Sequence, residues 1–320
     1  MDSTYVTSIL VSALLLTVTD IVLNLPLRKG LTQSVNPILY EERRRSYRCA
    51  LCGCCMRYNP FIIAKIERAR AEDNLEEILE VADRIMIARG DLGVERPIEE
   101  ISVLQKKLIH LGNPMGKPDI TVTQMLESMT VSMSPTCLEE TGAITAVLDG
   151  TDCVMLSGES AIGNYPVVPV EMLAKIGVST EPLRKVHRVR DALKGAVYKK
   201  NQNLSDLIAL SAEIILTRSP LTAIFVPAWR GASARSITRC RLPVWIVAVS
   251  SHEATCQGPQ FSYGVHPIHE PNHPEDWRIY TKNWLQSHGV DGNSLCWPRG
   301  PCSGDRKPNN GMEIVDLNRD

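Results

Sequence analysis

A set of polar residues stands where an apolar run stops. The segment "IMIA" (85–88) leads straight into Arg89, Gly90, Asp91, Leu92 and Gly93. A strand interior demands packing, whereas a charged, backbone-flexible turn is suited to holding a ligand. The same junction recurs along the chain. Lys65 and Glu67 close "FIIAKIE", Thr123 and Gln124 close "DITVT", and Ser157, Gly158 and Glu159 follow "CVML". Lys65 and Glu67 are two residues apart, so on a strand they share one face. A lysine beside a carboxylate serves either as a plain ion pair or as a catalytic pair, and this spacing fits both.

The elements that carry these residues repeat in a regular way. After the strand at 61–67, "DNLEEILEVAD" (73–83) places Leu75, Ile78, Leu79 and Ala82 at helical spacing. "IMIA" precedes a helix from about Pro97 to Leu111, "DITVT" one around Glu139 to Leu148, and "CVML" one around Val167 to Ile176. Strands alternating with helices imply parallel pairing through right-handed crossovers. In such folds chemistry collects at the carboxyl ends of the strands, where all four polar sets fall.

A polar, basic stretch at 186–203 marks a domain junction. Beyond it "DLIALSAEIIL" and "GASARSITRCR" read as helices, and "LTAIFVP" and "VWIVAVS" as strands. These form a second, smaller α/β layer. A last helix is expected from Pro274 to His288, closed by Gly289.

Composition narrows the function classes. The 320 residues carry 35 Lys and Arg against 36 Asp and Glu, a formal net charge of -1, which argues against a nucleic-acid surface. The basic cluster "EERRRSYR" (41–48) reads as a solvated linker. The apolar run Ile9–Leu16 has no basic residue before it and meets Asp20 soon after, so it reads as a buried or disordered segment and not as a membrane anchor. Of the 10 cysteines, Cys49, Cys52, Cys54 and Cys55 are packed into "CALCGCC". That run is either half a zinc ligand set or a group of free thiols; a second Cys or His pair at zinc-finger spacing does not follow it.

Taken in order, "IIAKIER", "IMIARGDLGVE", "QKKLI", "GKPDITVTQMLESM", "AVLDGTDCVMLSGESAIGNYP" and the terminal "MEIVDL" resemble pyruvate kinase. The match is dense from Asn59 to Ile176 and looser from 204 to 317. The resemblance implies the last four strand-helix units of a TIM-type (β/α)8 barrel over 59–185, followed by a C-terminal α/β domain over 186–320. Residues 1–58 match no motif and are expected to be irregular. It also implies phosphoryl transfer from phosphoenolpyruvate to ADP, giving pyruvate and ATP in glycolysis, in a cytoplasmic homo-oligomer.

Residue by residue, Lys65 matches the family's lysine that stabilises negative charge on the phosphoryl group and the enolate. Glu67 and Asp91 match its ligands for Mg²⁺ or Mn²⁺, and Gly90, Asp91 and Thr123 its substrate contacts. Arg89 reads as structural, pairing with neighbouring acids. The family's K⁺ ligands, its arginine contacts to phosphate and its nucleotide-closing lid belong to the half that has no counterpart here, so no nucleotide-binding residue is assigned. The alternative to an active phosphotransferase is a catalytically inactive fragment serving as an assembly or interaction module.

Several positions depart from the family pattern. Asp119 replaces an apolar strand residue, and a buried carboxylate without a partner would be costly. Cys137, Gly142 and Thr145 interrupt the "PTRAE" and "SDVANAV" patterns of a helix bordering the site. Ala228, Trp229 and Arg230 stand where an effector phosphate would be bound. The prolines and glycine of "NSLCWPRGPC" (293–302) are expected to keep it from pairing as a central strand.

Overall fold

The computed structural model describes residues 63–184, 204–218, 221–228, 232–239, 241–272, 274, 276–289, 294–298 and 312–316. The N-terminal 58 residues with their cysteine cluster, the junction at 186–203, and Trp229 and Arg230 lie outside the described residues. The chain divides into two compact units, with the boundary between Met172 and Leu173.

The first unit is a four-stranded parallel sheet in the order β1 (Ile63–Ile66), β2 (Arg84–Ala88), β3 (Asp119–Val122), β4 (Cys153–Met155). Between the strands run α1 (Arg70–Asp73), α2 (Leu75–Val81), α3 (Arg89–Glu95), α4 (Ile98–Gly112) and α5 (Cys137–Asp149). After β4 come the single-turn α6 (Gly158–Ala161) and α7 (Val168–Thr180), which continues past the unit boundary. The strand-helix repeat read from the sequence is present, with ends displaced by a few residues.

Helix-facing strand residues Ile66, Ile85 and Ile87 pack with Leu75, Leu79, Leu104, Leu108 and Ile109. Burying each such side chain contributes about 1.5–3 kcal/mol. On α4 the buried residues Ile101, Leu104, Leu108 and Ile109 recur at three, seven and eight residues, the single stripe that a sheet-covering helix requires. Parallel register aligns Lys65 with Met86, Ile87 with Thr121, and Ala88 with Val122, so the four carboxyl ends lie along one edge.

Asp119 is fully buried, yet its carboxylate has a partner. The Thr151 hydroxyl donates to Asp119 Oδ2 at 2.5 Å, and Thr121 Oγ1 lies 3.0 Å from Thr151 Oγ1. The Thr151 hydroxyl also lies 2.9 Å from the Cys153 carbonyl, and having one proton it gives it to the nearer carboxylate and accepts from Thr121. The Asp119 amide in turn donates to Asp152 Oδ2 at 3.2 Å. Thr151, just before β4, thus meets the cost expected for a bare carboxylate, with Thr121 of β3 beside it.

Despite Cys137, Gly142 and Thr145, α5 is continuous. The hydroxyls of Thr141 and Thr145 bond back to carbonyls four residues earlier, at 2.7 and 2.8 Å. Its start carries a capping box, with Thr136 accepting from the Glu139 amide while Glu139 reaches back to Thr136, and it ends on Gly150 at φ 97°.

The second unit holds a five-stranded sheet in the order β7 (Val265–His269), β6 (Trp245–Ser250), β5 (Ala223–Pro227), β8 (Ser294–Pro298), β9 (Met312–Asp316). All pairs are parallel except β8 with β9. Alternate residues of β5 and β6 supply two cores. Ile224, Val226, Ile246 and Ala248 pack with Ala212 of α8 (Leu204–Arg218) and with Ala234 and Ile237 of α9 (Ala232–Thr238). Phe225 and Val247 pack with Leu285 of α11 (Trp277–Ser287), which follows the short α10 (Glu253–Gln257). Burial on both faces is the ordinary state of a parallel sheet. Asp276 caps α11 by accepting from Arg278 and Ile279, so the helix starts three residues later than the sequence reading had it.

The expectation for 293–302 is corrected. Ser294–Pro298 pairs on both sides, between β5 and β9. Gly300 and Pro301 lie past the strand, Pro298 is its last residue, and the β5 pairing uses only Leu295 and Cys296, where no proline interrupts the ladder.

Glu139 gives a stability prediction. Burial raises its pKa, but hydrogen bonds from Ser128 and Thr136 outweigh this and hold it below the usual glutamate range. A depressed carboxylate stabilises fully above its unfolded pKa, and the benefit is lost as pH falls through the folded value. Glu139→Ala should cost about 1–2 kcal/mol at neutral pH. In urea denaturation the gap between parent and variant should begin to narrow as pH falls below about 4 and go on narrowing toward the lower, folded value. A gap that is constant down to pH 3, or absent at pH 7, would refute this role.

Candidate functional site

Each predicted site residue stands at or just past a strand end. Lys65 lies within β1 and Glu67 follows it, and their side chains form an ion pair. Lys65 Nζ also donates to Asp91 Oδ2 at 3.1 Å, across to the first turn of α3. One ammonium therefore draws in the carboxylates of two adjacent strand ends. Burial pulls the Lys65 pKa down, but its bonds and charge interactions with Glu67 and Asp91 outweigh that and hold it above the ordinary lysine value. Lys65 is protonated throughout the neutral range.

Thr123 is the residue after β3. Its hydroxyl accepts from the Gly90 amide at 2.8 Å and donates to the Val122 carbonyl at 2.6 Å. The Gly90 amide belongs to the first turn of α3, where amides have no partner within the helix. Ala88 at the cap position has no side-chain bond to give, so Thr123 caps the helix from 33 residues away. Closeness also explains the glycine, because a Cβ at position 90 would stand 3.3 Å from Thr123 Oγ1.

Thr123 and Gln124 both have left-handed backbone, at φ 68° and 52°. For a β-branched residue this is an outlier costing about 1–2 kcal/mol. Arg89 lies against this turn. Its guanidinium donates to the Gln124 carbonyl at 2.6 Å, to the Thr123 carbonyl at 3.3 and 3.4 Å, and to the Gly142 carbonyl at 3.5 Å. Burial lowers the Arg89 pKa. The pairing with acids read for Arg89 is corrected: its acceptors among the described residues are main-chain carbonyls.

Ser157, Gly158 and Glu159 do not join the lysine cluster as ligand groups. Glu159 is 3% exposed and accepts from the amides of Leu126 and Ser157, at 3.2 and 2.7 Å. Glu139 plays the same part nearby, accepting from both the amide and the hydroxyl of Ser128 at 2.7 and 2.5 Å. These two carboxylates shape the segment after Thr123. The capping pattern Thr136-x-x-Glu139 was the available signal for Glu139, whereas Glu159 was marked only by its place after a strand end.

The donor set suits one hard divalent cation. Glu67 and Asp91 already converge on a single positive charge, and their side chains are 24% and 51% exposed, so both can reach water. Mg²⁺ takes one or two protein carboxylates and completes its shell with water and substrate oxygens. Among the described residues no group of three or more Asp, Glu, His or Cys forms a fuller cage.

Fold and rim together define a parallel α/β barrel segment with a lysine and two carboxylates at its strand ends. A model of the pyruvate kinase barrel domain matches residues 54–170, and one of the pyruvate kinase alpha/beta domain matches 206–290. The pyruvate kinase of Thermococcus litoralis is 47% identical over 211 residues, covering 65% of this chain and 44% of its own length. Pyruvate kinase 2 of Saccharomyces cerevisiae is 41% identical over 217 residues, covering 68% of this chain and 43% of its own. The crystal structure of a pyruvate kinase from Cryptosporidium parvum aligns with a TM-score of 0.74 at 32% identity, over 81% of this chain and 52% of that one. The chain belongs to the pyruvate kinase family, and it spans about half the length of the relatives it matches.

Thr123→Val keeps the shape of the side chain but removes the acceptor for the Gly90 amide. Loss of this cap should cost about 1–2 kcal/mol in urea denaturation, and Thr123→Ser should recover most of it. Equal stability of the valine variant and the parent would show that the bond contributes nothing.

Proposed function

We propose that this chain is a pyruvate kinase-type phosphotransferase, moving a phosphoryl group from phosphoenolpyruvate to ADP to give pyruvate and ATP, in the cytoplasm. The observation that carries the reading is the Lys65 ammonium held between Glu67 and Asp91, next to the Thr123 and Gly90 pair. Phosphoryl transfer asks mainly for positioning and for positive charge near the oxygens that gain negative charge. Lys65 supplies a fixed, protonated cation for the transferring phosphoryl group and the enolate oxygen. Glu67 and Asp91 would hold Mg²⁺ or Mn²⁺, which when bound supplies further positive charge to substrate oxygens. Gly90 allows a substrate carboxylate to approach the backbone, and Thr123 offers its hydroxyl beside it. K⁺ and nucleotide complete the reaction by resemblance alone, with no residue of this chain assigned to them.

The carboxylates have two demands on them, since each pairs with Lys65 and each would ligate the metal. Oxalate, a dianion resembling the enolate of pyruvate, tests both at once. Calorimetry should show oxalate binding only with Mg²⁺ present, and Asp91→Asn should weaken it at least tenfold, about 1.4 kcal/mol. A coupled assay with phosphoenolpyruvate, ADP, Mg²⁺ and K⁺ should yield pyruvate, and Lys65→Met should abolish it. Oxalate binding without turnover would favour the inactive assembly module. Absence of both would overturn the substrate reading.

A further inference from the structure

We infer that Arg89 is a positioning residue, whose guanidinium holds the Thr123–Gln124 turn in the left-handed form that brings the Thr123 hydroxyl onto the Gly90 amide. The strand pattern shows why such a holder is needed. Thr121 aligns with Ile87, which packs in the helix-facing core, and regular alternation would send Thr123 to that same face. The turn at φ 68° and 52° breaks the alternation and places Thr123 Oγ1 2.8 Å from the Gly90 nitrogen.

Neither residue of the turn is a glycine, so the backbone conformation is uphill by itself. It also turns the carbonyls of Thr123 and Gln124 away from the sheet ladder, and of the two the part-buried Thr123 carbonyl needs a new donor. Arg89 meets both with one planar group, its strongest bond being the 2.6 Å contact to Gln124. Charge-assisted donors in a fixed fork are suited to this, and a lysine ammonium on a flexible stem cannot reproduce the fork.

The seat of the guanidinium is closed by α5. A Cβ at Gly142 would stand in ordinary contact, 3.5 and 3.6 Å from the two terminal nitrogens, so α5 lies directly beside the guanidinium, and the Gly142 carbonyl takes the remaining bond. Arg89 therefore ties together the start of α3, the end of β3 and the middle of α5. Thr123 and Gly90 are the two groups it sets against each other.

The inference rests on the phosphotransferase reading only where it says what the turn is for; the turn itself is tested without any ligand. Hydrogen exchange at the Gly90 amide, followed by NMR in the full chain, should be at least tenfold faster in Arg89→Lys and in Arg89→Met. Adding Gln124→Gly to Arg89→Met should restore most of the protection, because glycine adopts positive φ without strain. The same variants should weaken oxalate binding in the presence of Mg²⁺ by tenfold or more, with recovery in the double variant. Exchange within twofold of the parent in both single variants, or no recovery with Gln124→Gly, would overturn the positioning role. If the parent binds no oxalate, the substrate reading fails while the exchange rates still decide the turn.

Discussion

Parallel pairing is the constraint from which the rest of the first unit follows. A strand that must run beside its predecessor in the same direction cannot return by a tight turn, so a crossover is interposed each time. The crossover helices cover Ile66, Ile85 and Ile87, and this burial makes the register firm. A slip of one residue would expose those side chains to the wrong face. Because the register is firm, Lys65, the Gly90–Asp91 pair and Thr123 arrive at one edge from three separate stretches of sequence. The chemistry at the rim is thus a consequence of apolar packing several ångströms away.

Much of this was legible in the residues because period and punctuation agree. Apolar spacing on α4, the threonine and glutamate that open α5, and the glycines that follow α5 and α11 each mark an element by a physical mechanism. Less was legible where tertiary context overrules a local rule. "SLCWP" reads poorly as a strand because of the proline and glycines around it, yet pairing requires free donors only at the positions that are bonded. Asp119 reads as an error in a buried strand because its partner, Thr151, is 32 residues away. A single sequence has no periodicity that links such a pair.

The site divides in the same way. Position at strand ends picked out a wider set of polar residues, and the resemblance narrowed it to Lys65, Glu67, Gly90, Asp91 and Thr123; Lys65 contacts Glu67 and Asp91, and the Gly90 amide contacts Thr123. What stayed hidden was the backbone. Positive φ is announced by glycine or asparagine in most turns, and here it occurs at Thr123 and Gln124, which announce nothing. The acceptors of Arg89 were hidden for a related reason. A search for its partners by residue type turns to acids, whereas carbonyl groups belong to every residue and are exposed to a donor only by the local turn.

Four carboxylates near the rim separate into two kinds, and the separation follows from solvent and partners. Glu139 and Glu159 accept from main-chain amides and from hydroxyls, and those bonds shape the segment from Leu126 to Thr136 and the turn at Ser157. Removing either would leave donors without acceptors, so they are committed to the fold. Glu67 and Asp91 instead share the one Lys65 ammonium and keep part of their surface in water. An ion pair of this exposure contributes little stability, so exchanging the ammonium for a bound ion would cost the fold little. The carboxylates free to change partners are the two that the lysine brings together, and the carboxylates that are not free are the ones that hold the walls around them.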